Sequence, residues 1–252
     1  MIKNTPIDSI DSALSENKKW QLIDMDVFQS NRLIMGLEND PRADVFRVLR
    51  TKVLKRLRQN NWNSFAITST NPSAGKTFTS INLAIAIAIA MEENQNVLLV
   101  DADLRRPSIG QCLELQYQYG FVDCIKKDLS LDEVYICPGI KHLFILPGKK
   151  PEINSSELIA SQKMTKLINE FKSRFKSGIV IFDLPPLSVV DDVMLFMPHF
   201  DAALLVVEDG KNSSEELQHA MLILEETNLL GLVVNKSTQE LPIYRYGYGY
   251  GY

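Results

Sequence analysis

Six short apolar runs, FAITS from Phe65, NVLLVD from Asn96, HLFILP from His142, GIVIFD from Gly178, AALLVVE from Ala202 and LLGLVVN from Leu229, alternate along the chain with helical stretches. Runs without an alternating polar residue suit strands buried on both faces, and strands separated by helices pair in parallel. The expected fold class is therefore α/β, a doubly wound, mainly parallel sheet. Its clearest helices run roughly from Thr77 to Met91, Gln162 to Phe175 and Ser213 to Asn228. With 252 residues, 45% of them hydrophobic, the chain has the material for one such domain with appended arms.

Residues 1–40 are polar, weakly periodic and without a strand signal, so they are expected to form an arm outside the core. The domain is expected over 41–236. It opens with DPRADVFRVLRTKVLKRLRQNN, where Phe46, Leu49, Val53 and Leu57 recur at spacings of three and four, the mark of an amphipathic helix. The other face carries Asp44, Arg47, Thr51, Lys55 and Arg58, for which solvation is the ordinary explanation. Residues 237–252 end in YRYGYGYGY, which places Tyr244, Tyr246, Tyr248, Tyr250 and Tyr252, five of the eight tyrosines, in the last nine residues. The alternating glycines raise backbone entropy, so this tail is expected to be disordered when free.

Ligands of doubly wound sheets bind at the C-terminal strand ends, so the residues found there matter most. The first apolar run leads into TNPSAGKTFTSINLAIA, a GKT between a strand and a helix. Thr70 stands where the strict GxxxxGK[ST] pattern has its first glycine. The context is nonetheless that of a P-loop. Backbone N–H groups of Ser73, Ala74, Gly75, Lys76, Thr77 and Phe78 would cradle phosphate oxygens at a helix N-terminus. Lys76 would bridge β- and γ-phosphates of ATP, and Thr77 would ligate Mg²⁺.

Three acids lie at two other strand ends. GIVIFDLPP ends its strand in Asp183, the place and type of a carboxylate that holds Mg²⁺ through water, and NVLLVDADLRRP brings Asp101 and Asp103. A right-handed βαβ unit would set the acids that end that second strand beside the P-loop. One acid at a strand end is commonly a helix cap; three facing one GKT exceed what capping needs. A phenol, with a pKa of about 10, is protonated at neutral pH, and a carboxylate near the γ-phosphate can take its proton. Asp103 is the first candidate for that base and Asp101 for orienting metal or nucleophile, with the two roles exchangeable. Asn235, at the end of the last apolar run, suits either an adenine edge or a strand-end turn. Tyr117 and Tyr119 in ELQYQYG are further candidate acceptors, though their period-two spacing equally suits a partly buried segment.

The net charge of -4 gives no whole-molecule attraction to nucleic acid or to anionic lipid. Cys112, Cys124 and Cys137 match neither a zinc site nor a CxxC motif and read as reduced thiols of a cytoplasmic protein. The N-terminus lacks the apolar core of a secretory signal, and the run from Ile81 to Met91 is too short to span a bilayer.

From about Asp40 to Tyr252 these residues resemble the bacterial tyrosine kinases that accompany capsule and exopolysaccharide export. NPSAGKT resembles that family's Walker A, VLLVDADLRRP its Walker A′, VIFDLPP its Walker B, and YRYGYGYGY its tyrosine cluster. The resemblance implies an ATP- and Mg²⁺-dependent autokinase. Lys76, Thr77, Asp101, Asp103 and Asp183 would act on the nucleotide, with Thr77, Asp101 and Asp183 at the metal and the tail tyrosines as acceptors. It further implies a homo-oligomer, ring-like or dimeric, a separate membrane polysaccharide co-polymerase as activator, a cognate tyrosine phosphatase, and a peripheral place at the inner membrane face. Three positions depart from the pattern. Ser73 replaces a glycine, Glu208 and Asp209 stand where an arginine is usual, and Asp44, Arg47 and Arg50 form an assembly-like ExxRxxR with Asp for Glu. The rival readings are a MinD/ParA-like switch ATPase, whose signature lysine would fall at Asn71, and a nucleotide-binding regulator without transfer activity.

Overall fold

The computed structural model describes residues 19–36, 40 and 42–238; the tail tyrosines and residues 1–18 lie outside them. The chain enters with strand β1 (Lys19–Trp20), helix α1 (Met25–Ser30), a 3-10 turn at Ile34–Gly36 and helix α2 (Ala43–Asn60). Strand β2 (Ser64–Ser69), helix α3 (Lys76–Ile89) and strand β3 (Val97–Asp101) follow. Three short helices come next, α4 (Ile109–Cys112), α5 (Phe121–Lys126) and α6 (Leu131–Val134), then strands β4 (Ile136–Cys137) and β5 (Leu143–Leu146). Helices α7 (Ser155–Ile159) and α8 (Gln162–Arg174) lead to β6 (Ile179–Asp183). Helix α9 (Val190–Phe196), β7 (Ala202–Glu208), α10 (Ser214–Leu224) and β8 (Asn228–Asn235) complete the domain.

The strands form one sheet in the order β1-β4-β5-β3-β6-β2-β7-β8, parallel throughout except between β4 and β5. Each continuous apolar run divides its side chains between two layers, as the period of two requires. Phe65 and Ile67 of β2, Val97 and Leu99 of β3, and Ile179 and Ile181 of β6 face the layer built with α2 and α3. Ala66, Leu98, Val100, Val180 and Phe182 face the layer built with α5 to α10. Helix α3 is apolar nearly all round, with Ile81 through Ala88 at most 1% exposed, so it is a core helix and not a surface one. Helix α2 covers it with Phe46, Val53 and Leu57 and stops where Asn61 turns left-handed at φ 56°.

One expectation is corrected. Residues 19–36 do not lie outside the core: β1 pairs with β4, and Phe28, Leu33, Ile34 and Met35 are buried against α2 and α3. Asn82 on α3 accepts the Met35 amide at 3.1 Å, which satisfies a buried backbone donor and pins the segment. In the sheet, β3 and β2 are not immediate neighbours. β6 lies between them, paired with β2 on one side and β3 on the other. The crossover from β2 through α3 skips one sheet position, which β6 later fills.

Candidate functional site

The loop from β2 to α3 turns on two residues with positive φ, Ser73 at 64° and Gly75 at 97°. Gly75 is required twice over. The left-handed backbone favours it, and a Cβ there would sit 2.0 Å from the side-chain nitrogen of Asn235. Asn235 donates from Nδ2 to the Ala74 carbonyl at 2.8 Å, so the end of β8 buttresses the loop, and the adenine reading of this residue has no support from this contact. Ser73 holds the left-handed conformation without being glycine, a strained choice for an L side chain. The first amides of α3 open toward the loop concavity with no intrahelical partner; Thr79 N is the first to close back, onto Gly75 O at 2.9 Å.

The structure brings the three acids and the GKT together. Lys76 Nζ lies 2.9 Å from Asp103 Oδ2 and 3.5 Å from Asp183 Oδ2. Thr77 donates from Oγ1 to Asp183 Oδ2 at 2.7 Å, and Ser80 donates to the other oxygen at 2.9 Å. Ser108 lies 3.1 Å from the Thr77 hydroxyl and, since that hydrogen serves Asp183, is the donor there. Asp101 Oδ2 accepts the amides of Ser108 and Ile109 at 2.8 and 2.9 Å. Its Oδ1 is buried with no hydrogen-bond partner among the described residues. Asp103 Oδ1 accepts from Arg106 N at 3.0 Å, which shapes the loop beyond β3.

Asp101 and Asp183 are fully buried and Asp103 nearly so. Burial, and next the Asp183 charge, push the Asp101 carboxyl up to about 7. Burial also raises Asp183, although Lys76, Thr77 and Ser80 favour its ionised form. At Lys76 burial is the largest single effect and opposes the charge, but Asp183 and Asp103 outweigh it, and the ammonium is held more tightly than usual. Among the described residues no three His, Cys, Asp or Glu side chains form a ready-made metal cage. Mg²⁺ does not ask for one, since it keeps waters and phosphate oxygens beside one or two carboxylates. The Thr77 hydroxyl, Asp183 and the unpartnered oxygen of Asp101 fit that donor set.

Sequence reasoning missed Ser80 and Ser108, since hydroxyls within a helix and a loop carry no motif of their own; the Ser after DADLRRP is visible only once that loop is known to fold over Thr77. Of the assembly-like trio, Asp44 pairs with Arg47 on the exposed face of α2. Arg50 turns inward and donates to the Ala86 carbonyl of α3 at 3.2 Å. Where an arginine is usual, Glu208 pairs with Lys236 at 2.9 Å and Asp209 accepts from the Ser237 hydroxyl at 2.7 Å.

No family model matches the chain. Among curated proteins it is 30% identical over 209 residues to the tyrosine-protein kinase YwqD of Bacillus subtilis (strain 168), across 82% of this chain and 86% of that one. It is 29% identical over 198 residues to the tyrosine-protein kinase Etk of Escherichia coli (strain K12), covering 78% of this chain but only 27% of Etk. Among solved structures, the chimerical protein CapA2B2 superposes with a TM-score of 0.76 at 26% identity, over 88% of this chain and 94% of that one. MinD from Pyrococcus horikoshii, complexed with Mg-ADP, gives 0.56 at 20% identity, over 72% of this chain and 74% of that one, a likeness of fold alone. The similarity to YwqD spans the P-loop, the paired acids and most of the sheet, and the chain belongs to the family of bacterial tyrosine kinases.

Proposed function

We propose that this chain transfers the γ-phosphoryl group of ATP to Tyr244, Tyr246, Tyr248, Tyr250 and Tyr252 of a neighbouring subunit. The observation that carries this reading is the position of Lys76, 2.9 Å from Asp103 and 3.5 Å from Asp183 at the mouth of the loop. A buried ammonium clamped by two carboxylates is ready to exchange one of them for phosphate. When Lys76 turns to the β- and γ-phosphates, Asp103 Oδ2 loses its cation and becomes the better acceptor for a phenol proton. Ser73 to Phe78 would hold the phosphates through backbone amides. Thr77, Asp183 and Asp101 would hold Mg²⁺, which neutralises charge on the transferring group. Asp101 Oδ2 is occupied by two amides, which favours Asp101 as the residue that positions and Asp103 as the base.

Topology favours access of the tail. β8 runs parallel to β7 and β2, so the chain leaves it at the edge where the P-loop lies, with Asn235 on Ala74. Residues 236–252, extended at about 3.3 Å each, reach roughly 50 Å, enough for a neighbour's site. Assembly through α2 is supported by the exposed Asp44–Arg47 pair beside Val45 and Val48, which are 58% and 55% exposed. Each phosphate adds about -1.5 to -2 charges, so a heavily modified tail would be repelled by Asp101, Asp103 and Asp183, and the assembly would loosen. In this reading the enzyme works on capsule or exopolysaccharide polymerisation and export. A membrane co-polymerase would activate and recruit it to the inner face, and a phosphatase would reset it. Among the described residues no helix is long and apolar enough to cross a membrane. The switch-ATPase reading has less support, since Asn71, the position of its signature lysine, contacts Glu216 on α10 at 3.3 Å.

The test mixes a tail-deleted active chain with Lys76→Met carrying an intact tail, and follows phosphotyrosine and sedimentation together. Phosphotyrosine on the inactive chain and a smaller species after multiple modification are expected. An unmodified inactive chain would end the intersubunit claim, and unchanged size the release claim.

A further inference from the structure

We propose that Tyr119 is a second phospho-acceptor, with its phosphate held by Lys19, Lys127 and Lys149. Two independent observations lead here. The first is in the sequence: Tyr117-Gln118-Tyr119-Gly120 repeats the Tyr-x-Tyr-Gly spacing of Tyr244-Arg245-Tyr246-Gly247. A site that accepts the tail therefore meets the same local pattern within the folded domain.

The second is the electrostatic setting. The ammonium groups of Lys127, Lys149 and Lys19 lie 4.6, 5.6 and 5.8 Å from the centre of the Tyr119 ring, brought from the end of α5, the segment after β5, and β1. One ring face satisfies one cation well; three around a single ring repel one another. Asp123, 3.0 Å from Lys127, offsets part of the charge, and Lys19 donates to the Glu133 carbonyl at 2.7 Å. Surplus positive charge around a half-buried tyrosine is what a phosphate of about -1.5 to -2 charges would neutralise, with its three oxygens accepting from ammonium groups. The modification would also reach the nucleotide site. Gly120 packs on the Pro147 and Lys149 backbone, and a Cβ on the intervening Gly148 would lie 3.2 Å from the Asp101 carboxyl carbon. Tyr117 donates to the Gly148 carbonyl at 2.6 Å, so a phosphate binding Lys149 fastens the same wall that Tyr117 already holds.

The inference rests on the kinase reading. In the step, the bond between the γ-phosphorus and the β–γ bridging oxygen of ATP breaks, a bond from that phosphorus to Tyr119 Oη forms, ADP leaves, and the phenol proton passes to Asp103 of the acting subunit. The experiment incubates the full chain with ATP and Mg²⁺, quantifies phosphotyrosine by peptide, and then times its removal by a tyrosine phosphatase. Phosphate is expected on the tail and on the Tyr119 peptide, and is lost from that peptide alone in Tyr119→Phe. Release from Tyr119 is expected to be slower than from the tail and to speed by about tenfold in Lys127→Ala with Lys149→Ala, the worth of a charge-assisted hydrogen bond. A phosphorylated tail with a bare Tyr119 overturns the inference and leaves the kinase reading standing. No phosphotyrosine anywhere overturns both, and a release rate indifferent to the lysines overturns their role.

Discussion

Asp101 on β3 and Asp183 on β6 occupy opposed register positions on neighbouring parallel strands, both fully buried at the floor of one loop. Like charges so placed resist joint ionisation, and the carboxyl of Asp101 rises to about 7 through burial first and Asp183 second. Lys76, Asp103, Cys112 and Tyr117 are the other titratable groups around them.

A pH dependence of the nucleotide-free protein follows. A carboxyl with a raised pKa binds more protons folded than unfolded, so stability falls as pH climbs from about 4 to about 7. Asp183 is raised too and adds the same sign, while the raised Lys76 acts only in the alkaline range. Urea unfolding at pH of about 5 and about 8 should show lower stability at the higher pH, by a few kcal/mol at most, and Asp101→Asn should flatten the difference. Equal slopes for wild type and variant would refute it.

Ser73 carries a left-handed backbone at φ 64°. Ser73→Gly should raise stability by about 1 kcal/mol and retain nucleotide binding, whereas Ser73→Val, β-branched where φ is positive, should lose both. Thermal melts with and without ATP read the two outcomes, and a neutral Val variant would show that the turn is not needed.

Gly75→Ala meets both a strained φ of 97° and the Asn235 side chain at 2.0 Å, so nucleotide affinity should collapse. Asn235→Ala removes one 2.8 Å hydrogen bond to Ala74 and should cost about 1 kcal/mol of stability with a milder loss of affinity. Calorimetric titration ranks the two; a larger loss from Asn235→Ala would mean that the amide contacts the nucleotide itself.

Each of the six long apolar runs became a strand, because a run of four or more buried residues carries its own signal. β1 and β4, two residues each, carry none, and they exist through pairing, β1 on β4 and β4 also on β5. Phe28 lies in the six-residue helix α1, and Leu33, Ile34 and Met35 lie at or in a single 3-10 turn, elements too short for burial to leave a period to detect. The GKT and the three acids were legible as strand-end chemistry. The insertion of β6 between β2 and β3 was not, since strand order is set by packing between distant segments.

The two arginines of the assembly-like motif should separate in their effects. Among the described residues Arg47 is exposed and pairs with Asp44 along α2, so Arg47→Ala should change sedimentation with little change in melting. Arg50 bonds the Ala86 carbonyl, so Arg50→Ala should lower the melting temperature, by about 1 kcal/mol in stability. Unchanged sedimentation of the Arg47→Ala, Arg50→Ala double variant would remove α2 from the assembly.

The proposed phosphoryl transfer to tyrosine would run through Lys76, Asp103 and Asp183. The direct measurement is incubation of the purified full chain, and of Lys76→Met, with γ-labelled ATP and Mg²⁺, followed by phosphoamino-acid and peptide analysis. Labelled phosphotyrosine is expected in the segment from Tyr244 to Tyr252 of the wild-type chain and none in Lys76→Met, whose circular dichroism should match wild type. Free labelled phosphate without phosphotyrosine, or equal labelling of the variant, would contradict it.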